Sequence, residues 1–106
     1  MSRVAIITGA SRGIGAATAI LAGRRGYAVC VNYVSNEAAA RGVVEAIAGE
    51  GGRAIAVRAD VAKEAEVLAM FETVDREFGR VSALVNNTGI LERQVRVEAM
   101  EVARLE

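Results

Sequence analysis

Histidine is missing from this chain of 106 residues, and cysteine occurs only once. Zinc in proteins is held mainly by histidine and cysteine side chains, so this composition argues against a zinc site. A lone cysteine cannot form an internal disulfide. Because Cys30 lies in an apolar stretch, its thiol is expected to be a small core group rather than a reactive one. We therefore predict no metal site and a structural role for Cys30.

The chain also lacks long apolar runs and an excess of charge of either sign. The apolar run at residues 4–7 is too short for a signal peptide, and no segment approaches the roughly 20 apolar residues that cross a bilayer. Thirteen basic residues balance thirteen acidic ones, so nothing indicates a nucleic-acid or membrane partner. We expect a cytoplasmic protein. Its length fits one small domain or part of a larger one.

A glycine-rich segment follows the first apolar run. Residues 8–15 read Thr-Gly-Ala-Ser-Arg-Gly-Ile-Gly, with the spacing Gly-x-x-x-Gly-x-Gly. Such a turn between a strand and a helix can present backbone N–H groups and the positive end of a helix dipole to a phosphate. The alternative is a glycine-rich turn without a ligand. No Lys followed by Ser or Thr comes after the loop, which argues against a nucleoside triphosphatase.

Strand-like and helix-like segments alternate along the chain. Short apolar segments predict four strands, at 4–8, 27–32, 54–58 and 83–85. Apolar residues at helical spacing predict helices at 14–25, 37–49, 63–78 and, as a beginning, 95–106. Continuously apolar strands call for a parallel sheet covered by helices on both faces. With right-handed crossovers, the predicted architecture is an α/β doubly wound sheet of strand order 3-2-1-4.

The helical spacing also predicts which face of each helix packs on the sheet. The expected buried residues of the three complete helices are Ile14, Ala17 and Leu21, then Ala40, Val43, Val44 and Ile47, then Val67, Met70, Phe71 and Val74. The fourth strand would leave an apolar edge without polar or proline protection, and an edge of this kind is normally paired or covered.

Two further motifs accompany the glycine loop. Asp60-Val61 follows the third predicted strand, and Asn86-Asn87-Thr88-Gly89 follows the fourth. Together with the loop, in this order, they make the whole chain resemble the short-chain dehydrogenase/reductase family. It is most similar to the bacterial 3-oxoacyl-carrier-protein reductases and sugar dehydrogenases. The resemblance implies a Rossmann fold and a nicotinamide dinucleotide cofactor.

The resemblance also implies a role for each motif. The pyrophosphate and adjacent ribose would be held by Gly9, Ser11, Arg12, Gly13, Ile14 and Gly15. The carboxylate of Asp60 would accept a hydrogen bond from the adenine amine, and the backbone of Val61 would contact the same ring. The adenosine side would be lined by Asn87, Thr88 and Gly89, with Asn87 also tying strands together. The alternative for Asp60 is a helix N-cap. Thr88 stands where the family commonly has Ala.

The end of the second strand indicates which dinucleotide is bound. An NAD site commonly has Asp or Glu about 20 residues beyond the glycine loop, where it binds the ribose 2′-hydroxyl. Here Asn32 and Tyr33 occupy that place, and both are neutral. Arg12 in the loop can donate to a 2′-phosphate. We therefore predict NADP rather than NAD as the cofactor, with Asn32 and Tyr33 lining its site.

The family's catalytic pair, Tyr-x-x-x-Lys, is not found in these residues. Four residues after Tyr27 stands Val31, and four after Tyr33 stands Glu37. The one lysine, Lys63, has no Tyr four residues before it. We therefore predict no catalytic residues here and interpret residues 1–106 as a single partial dinucleotide-binding domain, the N-terminal half of a longer reductase.

The predicted function is an NADP(H)-dependent oxidoreductase that moves hydride between nicotinamide and a small carbonyl or alcohol, acting as a homo-oligomer. A non-catalytic dinucleotide-binding module is the main alternative. A methyltransferase that binds adenosylmethionine also uses a glycine loop, but it usually has an acidic residue at the end of the second strand.

Overall fold

A computed structural model describes residues 3–87, in which three helices alternate with four strands. The strands are β1 (Arg3–Ile7), β2 (Tyr27–Tyr33), β3 (Arg53–Arg58) and β4 (Ala83–Val85). The helices are α1 (Gly13–Arg24), α2 (Glu37–Gly49) and α3 (Glu64–Phe78). All seven elements agree with the sequence prediction to within a few residues. The helix predicted at 95–106 lies outside the described residues.

The four strands form one parallel sheet in the order β3-β2-β1-β4, which confirms the predicted topology. The register pairs Ile6 with Cys30 on one side and with Leu84 on the other. Cys30 in turn pairs with Ile55. β1 therefore lies inside the sheet, and this position explains why its residues 4–7 are all buried.

Successive side chains of the strands point to opposite faces of the sheet and build two cores. On one face Ile7, Val29 and Val31 pack beneath α1 and α2. On the other face Ile6 and Cys30 pack with residues of α3. Because helices cover both faces of the sheet, side chains on either face of β1 and β2 are buried. A polar side chain there needs a hydrogen-bond partner, which is why these strands are almost continuously apolar.

The predicted buried faces of α2 and α3 are confirmed, but the face predicted for α1 is wrong. Ile14 is 79% exposed and Leu21 is 45% exposed. The buried residues of α1 are instead Gly15, Ala19 and Ala22. Small side chains let the helix axis approach the sheet and α2 closely, whereas Ile14 and Leu21 are left on the outer side of the helix.

The close approach of α1 to α2 is visible at the end of α1. A Cβ added to Gly23 would lie 2.8 Å from the Ile47 side chain. Only a glycine fits at that distance without a shift of the isoleucine. A hydropathy pattern identifies the buried face of a helix by its large apolar residues. It therefore cannot recognise a face that packs closely because its residues are glycine and alanine.

Cys30 is fully buried in the centre of β2, as predicted. Burial raises the pKa of its thiol to about 12, because the low-polarity interior disfavours the thiolate. A thiolate is the reactive form of cysteine. Cys30 is therefore a packing group of the core.

Candidate functional site

The segments predicted to bind a ligand meet at one edge of the sheet. All four strands run in the same direction, so the residues that follow them come together at their carboxyl ends. Backbone hydrogen bonds join these ends: Ala10 N–H donates to the carbonyl oxygen of Asn32 at 2.8 Å, and Ala59 N–H donates to that of Tyr33 at 2.9 Å. The first turn of α1 begins at the same edge.

Glycine is needed at two positions of the loop for different physical reasons. Gly13 has a backbone φ of 66°, which residues other than glycine rarely adopt. A Cβ at this position would meet nothing within 4 Å. A Cβ on Gly15 would instead collide with the carbonyl oxygen of Gly9 and with the side-chain nitrogen of Asn87. Gly13 thus leaves open space above the loop, whereas Gly15 lets α1 pack against the ends of β1 and β4.

The amino end of α1 is electrostatically different from those of the other helices. Its N-cap, Arg12, makes no side-chain capping bond, and its first turn has no acidic residue. In α2, Asn36 caps the helix by accepting from Ala39 N–H, and Glu37 lies in the first turn. α3 has two acidic residues in its first turn. The free N–H groups and the dipole of α1 are therefore available to an anion.

The loop side chains frame this helix end from outside. Arg12 and Ile14 are exposed, and Ser11 is half-buried. Within residues 3–87 the Arg12 guanidinium forms no ion pair. A positive side chain and the positive end of a helix therefore lie at the same edge, and no carboxylate of residues 3–87 is paired with Arg12.

Asn32 and Tyr33, which were predicted to line the cofactor site together, occupy different environments. Asn32 is fully buried, and its side-chain amide accepts from Gly9 N–H, just after β1, and donates to the carbonyl oxygen of Ala59, just after β3. It therefore has no free surface for a ligand, and the predicted direct contact by its side chain needs correction. The sequence could not distinguish the two residues, because the choice depends on which face of β2 each occupies. Tyr33 is half-buried at the surface.

Asp60 lies in the turn between β3 and α3. One of its carboxylate oxygens accepts from Ala62 N–H at 3.0 Å. The N-cap of α3 is Lys63 rather than Asp60, so the alternative of Asp60 as the cap is wrong. Val61, the next residue, is 3% exposed and packs with Val67 in a small apolar cluster. Contact of the Val61 backbone with an adenine ring stays a prediction.

Glu66 is a member of this region that sequence reasoning missed. Its Oε1 accepts from Asp60 N–H at 2.8 Å and from Arg58 at 3.1 Å. The backbone hydrogen bond from Asp60, followed by the nearby charges of Arg58 and Lys63, lowers the pKa of the Glu66 carboxyl. Glu at the third position after an N-cap is a common pattern at helix starts, and this pattern could have identified Glu66 from the sequence. Glu66 holds the Asp60 turn against α3.

Asn87 joins the end of β4 to the glycine loop. Its backbone N–H donates to Thr8 Oγ1 at 2.8 Å, and its side-chain nitrogen donates to the carbonyl oxygen of Gly9 at 3.2 Å. Thr8, fully buried, also donates its backbone N–H to Val85. The predicted tie between strands by Asn87 is therefore present. Thr88 and Gly89, predicted to line the same side, lie outside the described residues.

A parallel sheet of order 3-2-1-4, with a glycine loop that leads from the central strand into an uncapped helix, defines a Rossmann-type α/β domain. A family model described as short chain dehydrogenase matches residues 3–106. The chain belongs to the short-chain dehydrogenase/reductase family.

Curated relatives agree with this assignment. The chain is 45% identical over 102 residues to the uncharacterized oxidoreductase YgfF of Escherichia coli (strain K12), covering 96% of this chain and 41% of the relative. It is 48% identical over 89 residues to a 3-oxoacyl-[acyl-carrier-protein] reductase of Synechocystis, covering 84% of this chain and 36% of the relative. The chain therefore spans well under half the length of these curated relatives.

Solved structures show the same fold. An acetoin dehydrogenase from Enterobacter cloacae matches with a TM-score of 0.77 at 37% identity, covering 84% of this chain and 35% of that one. A dehydrogenase/reductase from Sinorhizobium meliloti matches with a TM-score of 0.80 at 37% identity, covering 84% and 36%. Within residues 3–87, no helix has the length and apolar content to cross a membrane.

Proposed function

We propose that this chain supplies the dinucleotide-binding part of an oxidoreductase that transfers hydride between NADP(H) and a small carbonyl or alcohol. The observation that carries the proposal is the amino end of α1. It has no side-chain cap and no acidic residue in its first turn, and it follows a glycine loop at the carboxyl edge of the sheet. A phosphate is the ligand that such a helix end stabilises best.

The residues present fit a dinucleotide. The pyrophosphate would lie over Gly13, where a side chain would otherwise project, and against the first-turn N–H groups of α1. Asp60 and the backbone of Val61 would hold the adenine ring, with Asn87, Thr88 and Gly89 on the adenosine side. When bound, the nicotinamide gives or accepts the hydride. The role of this chain is to bind and orient the cofactor.

NADP is favoured over NAD by the charges around the end of β2. Tyr33 at the surface is neutral, and the next acidic residue along the chain, Glu37, is paired with Arg41 at 2.8 Å. Arg12, exposed and without an ion pair in the described part of the chain, can donate to a 2′-phosphate. A carboxylate that would bind a free 2′-hydroxyl and repel the phosphate is not found at the end of β2.

Arg12→Ala tests the cofactor assignment. We expect it to weaken NADPH binding at least tenfold in calorimetric titration while changing NADH affinity less than threefold, because only NADPH carries the 2′-phosphate. Arg24→Ala is the matched control, since it removes the same charge from the other end of α1. Equal losses for both nucleotides, or tighter NADH binding by the parent chain, would contradict NADP specificity.

A non-catalytic dinucleotide-binding module is the second candidate. It is favoured by one observation, that none of the 106 residues forms a Tyr-x-x-x-Lys pair. Reading the coding DNA beyond codon 106 distinguishes the two: a downstream Tyr-x-x-x-Lys supports the reductase. By family resemblance we extend the reductase proposal to a cytoplasmic homo-oligomer in which residues 1–106 are a partial domain.

A further inference from the structure

Asn32 is a fully buried polar residue at the junction of three strands. Its side-chain oxygen accepts from Gly9 N–H at 3.1 Å, at the start of the glycine loop. Its side-chain nitrogen donates to the carbonyl oxygens of Ala59 at 3.1 Å and Val57 at 3.3 Å. One amide therefore connects the segment after β1 to the end of β3, across β2.

Both halves of the amide are needed for this connection. Gly9 offers a donor, whereas Val57 and Ala59 offer acceptors, so the bridging side chain must accept at one end and donate at the other. An ionised Asp would accept from Gly9 but could not donate to the carbonyl groups. A Leu of similar size would leave a buried N–H and buried carbonyl oxygens without partners.

The bridge spans the two parts of the proposed dinucleotide site. Gly9 begins the loop assigned to the pyrophosphate, and Ala59 directly precedes Asp60, which is assigned to the adenine. The Asp60 turn is held from its other side by Glu66. The distance between the two parts of the site is thus set by hydrogen bonds within the protein before any ligand binds.

We propose that Asn32 is a positioning residue that fixes the glycine loop relative to the Asp60 turn, so that a ligand spanning both is bound as one unit. The proposal rests on the proposed dinucleotide-binding function. A role in the core alone would change stability and leave the affinity of the folded protein unaltered. A positioning role predicts a loss that is specific for ligands that contact both parts.

The test uses Asn32→Asp and Asn32→Leu in the full chain, with Ile47→Val as a control buried near the opposite end of the sheet. At a temperature where circular dichroism shows all proteins folded, we expect both Asn32 variants to bind NADPH at least tenfold more weakly than the parent. Adenosine, which carries neither the pyrophosphate nor the 2′-phosphate and so reaches only the adenine side of the site, should lose less than threefold. NADPH affinity within twofold of the parent in both variants would overturn the proposal.

Amide hydrogen exchange measured by NMR without nucleotide provides a second readout. We expect Gly9 N–H to be protected in the parent and to exchange at least tenfold faster in Asn32→Leu. Unchanged Gly9 exchange would overturn the proposal even if the chain bound no dinucleotide. If neither variant folds, Asn32→Ser retains a small polar group that is too short for the bridge, and the same criterion for Gly9 applies. A parent that binds neither NADPH nor NADH contradicts the proposed function separately.

Discussion

At the scale of single residues, Gly13 and Gly15 of the loop are required for different reasons, and alanine substitutions distinguish these reasons. Gly15→Ala forces a methyl group into the Gly9 carbonyl and the Asn87 amide, so we expect a loss of about 3 kcal/mol in the free energy of unfolding. Gly13→Ala meets no atoms and has only the backbone cost of a positive φ, about 1 kcal/mol. Urea unfolding measures both values.

Gly42→Ala is the control for these glycine changes. Gly42 lies inside α2 with nothing within 4 Å of an added Cβ, and alanine is the better helix former. We expect this variant to gain roughly 0.5–1 kcal/mol in the free energy of unfolding. If Gly15→Ala were no more destabilising than Gly13→Ala, the close packing of α1 on the loop would be disproved.

The Cys30 thiol provides a second prediction at this scale. Because burial raises its pKa to about 12, from the ordinary value of 9.0, the thiol should not react with a disulfide reagent while the protein is folded. Since the folded state favours the protonated thiol, its contribution to stability is complete below pH 9 and is lost as the pH rises toward 12. The reaction of the Cys30 thiol with the reagent is followed by absorbance. A rate in native buffer equal to the rate in denaturant would show that β2 is not buried in the sheet.

At the scale of elements, the ends of the three helices are specialised. α2 and α3 begin with acidic side chains that complement the helix dipole, whereas α1 leaves its amino end free for an anion. Glu66 of α3 has an additional role, because it accepts from the backbone of the preceding turn and so ties the turn to the helix.

This role of Glu66 predicts a dependence of stability on pH. Its carboxyl pKa is lowered in the folded state, so the charged form stabilises the protein fully above about pH 4.5 and progressively less as the pH falls below that value. Glu66→Gln should therefore lower the thermal midpoint at pH 7 and have a smaller effect at pH 3. Glu72→Gln on the same helix has no ion pair in the described residues and serves as the control. An equal effect of Glu66→Gln at both pH values would refute the assignment.

At the scale of the whole molecule, the sheet ends at β4, whose outer edge has no partner among the described residues. A chain of this size buries only about 60–65% of the surface of its unfolded state, so its stability is expected to be marginal. An unpaired apolar edge favours association with another copy. The two observations together predict a low melting temperature and self-association.

A second prediction at the scale of the whole molecule concerns the catalytic activity of the isolated 106-residue chain. The 106 residues hold no Tyr-x-x-x-Lys pair, which is the proton donor of the family, and a bound cofactor alone does not stabilise a transition state. We expect no loss of NADPH absorbance with any ketone, and light scattering should detect oligomers. A monomeric chain that reduces a ketone with NADPH would contradict both expectations and would require another proton donor.

The sequence by itself determined the alternation of strands and helices, the strand order and the place of the glycine loop. These features follow from local periodicity and from the handedness of crossovers, which neighbouring residues encode. The tertiary structure alone decided which face of α1 is buried, that Asn32 lies inside while Tyr33 reaches the surface, and that Glu66 bonds to the Asp60 turn. The buried face of α1 and the different environments of Asn32 and Tyr33 depend on packing between segments that are distant in the chain. The Glu66 bond is local, but it depends on how the turn at Asp60 folds back on α3. Hydrogen-bond partners and close approaches are set by this three-dimensional packing and not by the hydropathy of adjacent residues.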